Sequence, residues 1–243
     1  MTDKLTANFF VIAATILILL SSLVSGFSSS PPSSSLATPK IAFAAISTST
    51  STSTLTMSKN SGSNNSNPHI YKIRKATYDD AETVYRFIKE LARYEQLEDE
   101  VVGTVDDLRE TVFGGGSNNN TNKPSRANVV LLEEQEKDKG VMNPVGFALY
   151  FYNYSTFLCK PGIYIEDLYV SETCRGKGYG KALIQYLCVL ALQEGCGRVE
   201  WWCLKENKPS INFYRRLGAE EMIDWVNFRL DGNELQNVAK GRN

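Results

Sequence analysis

The sequence predicts an α+β domain over residues 70–243, preceded by a leader of different character. Three observations predict it. Apolar runs rich in β-branched and aromatic residues are interleaved with runs of helical spacing, so strands and helices mix along the chain. A glycine-dense turn, Arg175-Gly176-Lys177-Gly178-Tyr179-Gly180, separates a β-prone run from an apolar-periodic one. The composition also changes near residue 69, where Ser/Thr/Pro/Asn-rich sequence gives way to mixed apolar and charged sequence.

The elements follow in order. A strand is expected at 70–75, where Tyr71 and Ile73 alternate with Lys72 and Arg74. A helix at 78–94 carries Phe87, Ile88 and Leu91 at helical spacing. A second, 104–113, has Asp106 and Asp107 in its first turn, where the dipole favours negative charge. The Gly/Asn-rich run 114–128 reads as a flexible insert. Strands are expected at 128–134, 144–153 and 162–171, with a charged hairpin turn over 133–140. Helix 178–194 leaves the glycine turn, and strand 198–204 follows. Helix 208–217 has Pro209 in its first turn, Gly218 as its stop, and Ile211, Tyr214 and Leu217 on one face. A last strand is expected at 224–231.

A strand that breaks into glycines and then a helix is an anion trap. Glycines let backbone N–H groups converge, and the helix N-terminus adds positive potential. Arg175 and Lys177 add charge. Two known phosphate loops fail on spacing. A dinucleotide fingerprint needs G-x-G-x-x-G, and here Gly180 comes one residue early. A Walker loop needs Ser or Thr after its Gly-Lys, and Ala182 stands there.

The run 175–180 resembles the pyrophosphate loop of the GNAT acetyltransferases at every fixed position of Q/R-x-x-G-x-G/A. Glu166-Asp167-Leu168-Tyr169-Val170 resembles that family's fourth strand, and Lys181-Ala182-Leu183-Ile184 the start of its pyrophosphate-bearing helix. The segment 207–219 resembles N-x-x-[SA]-x-x-F-Y-x-x-x-G-[FA]. The resemblance implies a mixed, mostly antiparallel sheet flanked by helices and splayed between the fourth and fifth strands. It implies acetyl-CoA as cosubstrate, held by Leu168, Tyr169, Val170, Arg175, Gly176, Lys177, Gly178, Tyr179, Gly180, Lys181, Asn207 and Tyr214. It further implies a homodimer.

Collinear pieces over roughly 70–235 look like the spermidine/spermine (diamine) N-acetyltransferase branch, which includes thialysine- and ornithine-type enzymes. By that resemblance Glu166 is the base or the carboxylate that holds a water, and Tyr214 the general acid. Glu95 and Asp167 join Glu166 in binding a cationic substrate. The chemistry agrees: an attacking amine must lose a proton to a carboxylate, and a phenol of pKa ~10 can protonate a departing thiolate. Backbone N–H groups near 168–170 would stabilise the tetrahedral species. No acyl-enzyme is expected, because the chain's one histidine, His69, precedes the domain. Glu95, Glu98, Asp99 and Glu100 cluster where the first helix should end; charge of that sign opposes the dipole there and suits attraction of ammonium groups. Phe157 falls roughly where animal polyamine enzymes carry Trp, so the resemblance leans to the plant and microbial subtype. The expected activity is acetyl transfer from acetyl-CoA to a primary amine of a small cationic metabolite: a diamine or polyamine, ornithine, or a thialysine-like compound. Peptide N-acetylation and a non-catalytic acetyl-CoA-binding module are the alternatives. Trp201, Trp202 and Trp225 are candidates to line the acceptor pocket or the core.

Net charge is −1 and no long basic stripe appears, which disfavours nucleic acid. Five cysteines without a C-x-x-C pair, and a single histidine, leave no zinc spacing, and no metal is expected. Residues 1–26 resemble a signal peptide, with Lys4 before an apolar run. That run is short of the ~20 residues a span needs, so the mature domain is not expected in a membrane. Residues 27–69 are Ser/Thr/Pro/Asn-rich, transit-like or a disordered linker. Together they resemble the bipartite plastid leader of algae with complex plastids. The secretory pathway or ER, or a cytoplasmic enzyme started at Met57, are the alternatives.

Overall fold

Among the described residues six strands pair in chain order into one sheet. They are β1 (Leu55–Ser58), β2 (Ile70–Lys75), β3 (Asn128–Gln135), β4 (Met142–Ser155), β5 (Lys160–Val170) and β6 (Val199–Trp201). The structure, a computed structural model, describes residues 55–58, 69–114, 124–136 and 140–242. Neighbouring strands are antiparallel up to β5, and β5–β6 is parallel. The change of sense has a cause in connectivity. Antiparallel neighbours need only a turn, whereas β6 is reached through a helix, which returns the chain in the same direction. The helices are α1 (Ala81–Glu95), α2 (Val105–Phe113), α3 (Tyr179–Gln193), α4 (Lys208–Leu217) and α5 (Gly232–Ala239).

Strand alternation divides the core between the two faces of the sheet. On one face Val129, Leu131, Phe147, Leu149 and Tyr169 meet Val84 and Phe87 of α1. The Phe87 and Phe147 rings stack at 5.7 Å. On the other, Ile73, Val130, Leu132, Ala148, Tyr150, Ile163 and Ile165 meet Tyr179, Leu183 and Leu187 of α3, and Phe213, Tyr214 and Leu217 of α4 pack against them. Each large side chain fully removed from water contributes about 1.5–3 kcal/mol. α3 lies against the sheet centre, which explains why its sequence is apolar on more than one side.

Most expected elements lie within one to three residues of their observed bounds. Three expectations need correction. The run 133–140 is not all turn: β3 continues through Gln135, and Glu133 is buried, paired with Lys72 at 2.9 Å and with Arg74 at 2.8 Å. Those cations on β2 offset the charge, so an acid is tolerated inside the sheet. The strand expected at 224–231 does not form. Among the described residues no strand lies beside 225–230, and a lone strand leaves its backbone groups without a ladder. α5 follows instead. The expected strand 198–204 also shortens to Val199–Trp201. The signal-like segment 1–26, most of 27–69, residues 115–123 of the Gly/Asn-rich insert and residues 137–139 lie outside the described residues. Within 27–69, the backbone of Leu55–Ser58 pairs with β2.

Candidate active site

The sheet opens where β5 and β6 part. Their pairing runs from Ile163↔Val199 to Ile165↔Trp201 and stops. β5 continues to Val170 with that edge free. At the same point β5 bulges against β4. Leu149 pairs with Asp167 and Tyr150 with Ile165, so Glu166 is the extra residue. A bulge inverts the facing of every later side chain. Before it, Ile163 and Ile165 face α3; after it, Leu168 and Val170 do, while Tyr169 packs under α1. The acidic pair thus falls at the inversion, beside the opening.

The glycine turn sits at the end of the free edge. Gly176 and Gly178 take φ of 80° and 86°, left-handed values that glycine adopts without a Cβ clash. Gly178 is the N-cap of α3 and no side chain caps that helix. Its first N–H groups are therefore left for a ligand. Arg175 Nε donates to the Val170 carbonyl at 3.1 Å, and its guanidinium lies 4.3 Å from the Tyr94 ring. Lys177 Nζ donates to both Glu134 carboxylate oxygens, at 2.8 and 2.9 Å. Tyr179 is buried, 5.3 Å from the Tyr71 ring. Lys181 is exposed, and Gly180 lies close to the Phe213 ring of α4. An uncapped helix start, two left-handed glycines and an exposed arginine fit a diphosphate.

Three carboxylates face one another electrostatically across the opening. Burial first, and then the charges of Glu166 and Glu95, push the Asp167 carboxyl up to about 7. Glu166 itself is exposed. Burial raises Glu95, at the last turn of α1, above the ordinary carboxylate range. Of the four acids grouped in the sequence near the end of α1, this one bears on the site. Glu98, Asp99 and Glu100 are exposed, and Glu98 pairs with Arg93.

Tyr214 closes the far side. Its ring lies 4.9 Å from Trp201, on the strand that has parted from β5. Burial, followed by Cys203, Glu95 and Tyr94, raises the phenol well above its usual value, so it stays protonated at neutral pH. Asn207 is the N-cap of α4, its Oδ1 accepting from Ser210 N at 3.2 Å. The same oxygen accepts from the Tyr94 hydroxyl at 3.3 Å. Tyr94 thereby links α1, Arg175 and α4 over the opening. Its role was not read from the sequence, although it stands between Arg93 and Glu95. Trp202 is largely exposed, edge-on to Tyr164 at 5.8 Å, and Trp225 is exposed.

A parallel pair that separates, a bulged strand beside the gap and an anion turn at its end make one cleft for a long phosphate-bearing ligand. The acetyltransferase (GNAT) family profile matches residues 71–219, more than half of the chain. This chain belongs to the GNAT acetyltransferase family. GNAT enzymes take their acetyl group from acetyl-CoA, and the turn of 175–180 suits its diphosphate. Among curated relatives, L-ornithine N5-acetyltransferase of Arabidopsis thaliana is 31% identical over 207 residues, spanning 70% of this chain and 88% of that protein. Thialysine N-epsilon-acetyltransferase of Sus scrofa is 33% identical over 170 residues, 69% of this chain and 96% of that one. A solved integron cassette protein from the mobile metagenome of V. cholerae superposes with a TM-score of 0.55 at 26% identity, covering 70% of this chain and 98% of its own. An aminoglycoside acetyltransferase from a soil metagenome, TM-score 0.51 at 19% identity over 66% and 97% of the two chains, shares the fold. Among the described residues no helix is long and apolar enough to cross a membrane, and no cluster of His, Cys, Asp and Glu could hold a metal.

Proposed function

We propose that this GNAT enzyme acetylates a primary amine of a small cationic metabolite, in the class of ornithine, thialysine, diamines and polyamines. The observation that carries the reading is the group Glu95, Glu166 and Asp167 beside Tyr214. Three acids whose charges act on one another are costly without a cation to relieve them. An ammonium ion does so. The names of the ornithine and thialysine relatives support the same class.

Bound along the free edge of β5, acetyl-CoA supplies the acetyl group and a thiolate leaving group. The uncapped start of α3, Gly176, Gly178 and Arg175 hold its diphosphate. Asn207 and the 168–170 edge flank the pantetheine arm of the cofactor. Glu166 and Asp167 take the proton from the incoming ammonium. Asp167 is pushed up to about 7, near neutral pH, where a general base works best. Glu166 supplies the larger of the two charges that place it there. Tyr214, kept protonated by its surroundings, offers its hydroxyl to the sulfur as negative charge develops. Homodimerisation is also proposed, as the family resemblance implies.

The test is thiol release by the full chain from acetyl-CoA, with ornithine, thialysine, putrescine, spermidine and a peptide panel, at two salt concentrations. Small amines should outpace peptides, and their kcat/KM should fall as salt screens the carboxylates. Tyr214→Phe should slow turnover by about 100-fold with acetyl-CoA affinity retained. Faster turnover of peptides than of every small amine would sink the substrate class.

A further inference from the structure

Val130, Leu132 and Glu134 lie on the α3 face of β3 by alternation, an apolar stripe that ends in an acid directly under the glycine turn. Donors from three points of the turn converge on that carboxylate. Cys174, just before the turn, brings its Sγ to 3.6 Å from Oε2. Lys177, between the two left-handed glycines, reaches both oxygens. Tyr179, the first residue of α3, donates its hydroxyl to Oε1 at 2.7 Å. His69 Nδ1 approaches the same oxygen at 3.1 Å from the start of β2. Burial alone would raise the Glu134 carboxyl; the bonds from Lys177 and Tyr179 outweigh it and hold the group below the ordinary range.

We propose that Glu134 is the positioning residue of the diphosphate turn, tying Lys177 and Tyr179 to β3 so that the backbone N–H groups around Gly178 are presented as a fixed anion cradle. Lys177 then serves as a strut: its charge is spent on Glu134, and the cradle grips through backbone donors and Arg175. This rests on the reading that the turn holds acetyl-CoA.

Two physical effects of removing Glu134 have opposite signs, which makes the assignment decidable. If charge governs, losing a carboxylate next to an anion site frees Lys177 and tightens acetyl-CoA binding. If position governs, the turn loosens and binding weakens. With the three charge-assisted bonds from Lys177 and Tyr179 lost, Glu134→Ala should raise KM for acetyl-CoA about tenfold. Glu134→Gln, which keeps an acceptor for Tyr179, should raise it by roughly threefold. In both, kcat at saturation should stay within about twofold of the parent, because the turn touches no reacting atom. S-acetyl-N-acetylcysteamine, a thioester with no diphosphate, separates the turn from the fold. Its turnover should be the same in parent and variants. Unchanged or lower KM for acetyl-CoA in Glu134→Gln overturns the proposal, and so does an equal loss with both thioesters. A parent chain that releases no thiol from acetyl-CoA with any amine counts against the enzymatic reading itself, and the positioning role falls with it.

Discussion

In the proposed mechanism Asp167 is a position tuned for proton transfer at a cost to the fold. Its carboxyl stands at about 7 because burial, Glu166 and Glu95 all disfavour the charged form. Below that value it is protonated and accepts nothing; above it, it is a base. The free-enzyme kcat/KM should therefore climb as pH rises through about 7. Glu166→Gln removes the larger neighbouring charge, and the limb should move down by roughly one unit. A limb that stays in place in that variant would show that another group sets the profile. Stability runs the other way. A carboxyl raised above its unfolded value of 3.8 favours the fold fully below that pH and loses the advantage as pH rises through about 7. With about 1.4 kcal/mol per unit, the ionised group costs the fold on the order of 4 kcal/mol at pH 9. Asp167→Asn should accordingly raise the melting temperature at pH 9 relative to the parent far more than at pH 4. That carboxylates lay at this site was legible in the sequence, as two adjacent acids inside a β-rich run. That the second sits deeper than the first was not, since a bulge leaves no signature in residue type.

The elements divide along the same line. α4 was readable to the residue, because Asn207, Pro209 and Gly218 act locally: the first caps, the second suits the first turn, and Gly218 takes φ of 88° at the stop. The glycine turn was readable for the same reason. β3 ends within one residue of the expected 134, but the charged run 133–140 also reads as a turn until Lys72, Arg74 and Lys177, distant in sequence, arrive to offset its first acids. Glu134 falls on the expected strand, but its bonds to Lys177 and Tyr179 were not legible, because they join residues 43 and 45 positions apart. Gly178 is where local conformation and ligand binding meet. Gly178→Ala would force a Cβ into a left-handed N-cap at a cost of about 1–2 kcal/mol. The melting temperature should fall by about 3–6 °C and acetyl-CoA affinity should drop several-fold, read by calorimetry on the same samples. Affinity equal to the parent's would mean that the turn does not hold the cofactor.

At the scale of the molecule, the chain beyond α4 stands out. Residues 220–236 are all exposed, and neither core cluster draws on them. Yet the run is not polar. Ile223 is 82% exposed, Trp225 70%, Val226 73% and Phe228 93%, a concentration of large apolar side chains that single surface residues do not explain. Among the described residues, 225–230 are non-helical and without a ladder partner, and β6, adjacent in the sheet to β5 alone, has an open edge. In the proposed homodimer a second copy of the chain, bringing the same segment and the same edge, would satisfy both at once and close the arrangement with two-fold symmetry. Light scattering on the purified protein should give twice the chain's mass. Trp225→Glu combined with Phe228→Asp should return it to the mass of one chain, because charges placed in an apolar interface stay unpaired and desolvated. A parent that scatters as a single chain at every concentration would leave these side chains without a partner, and the proposed dimer without support.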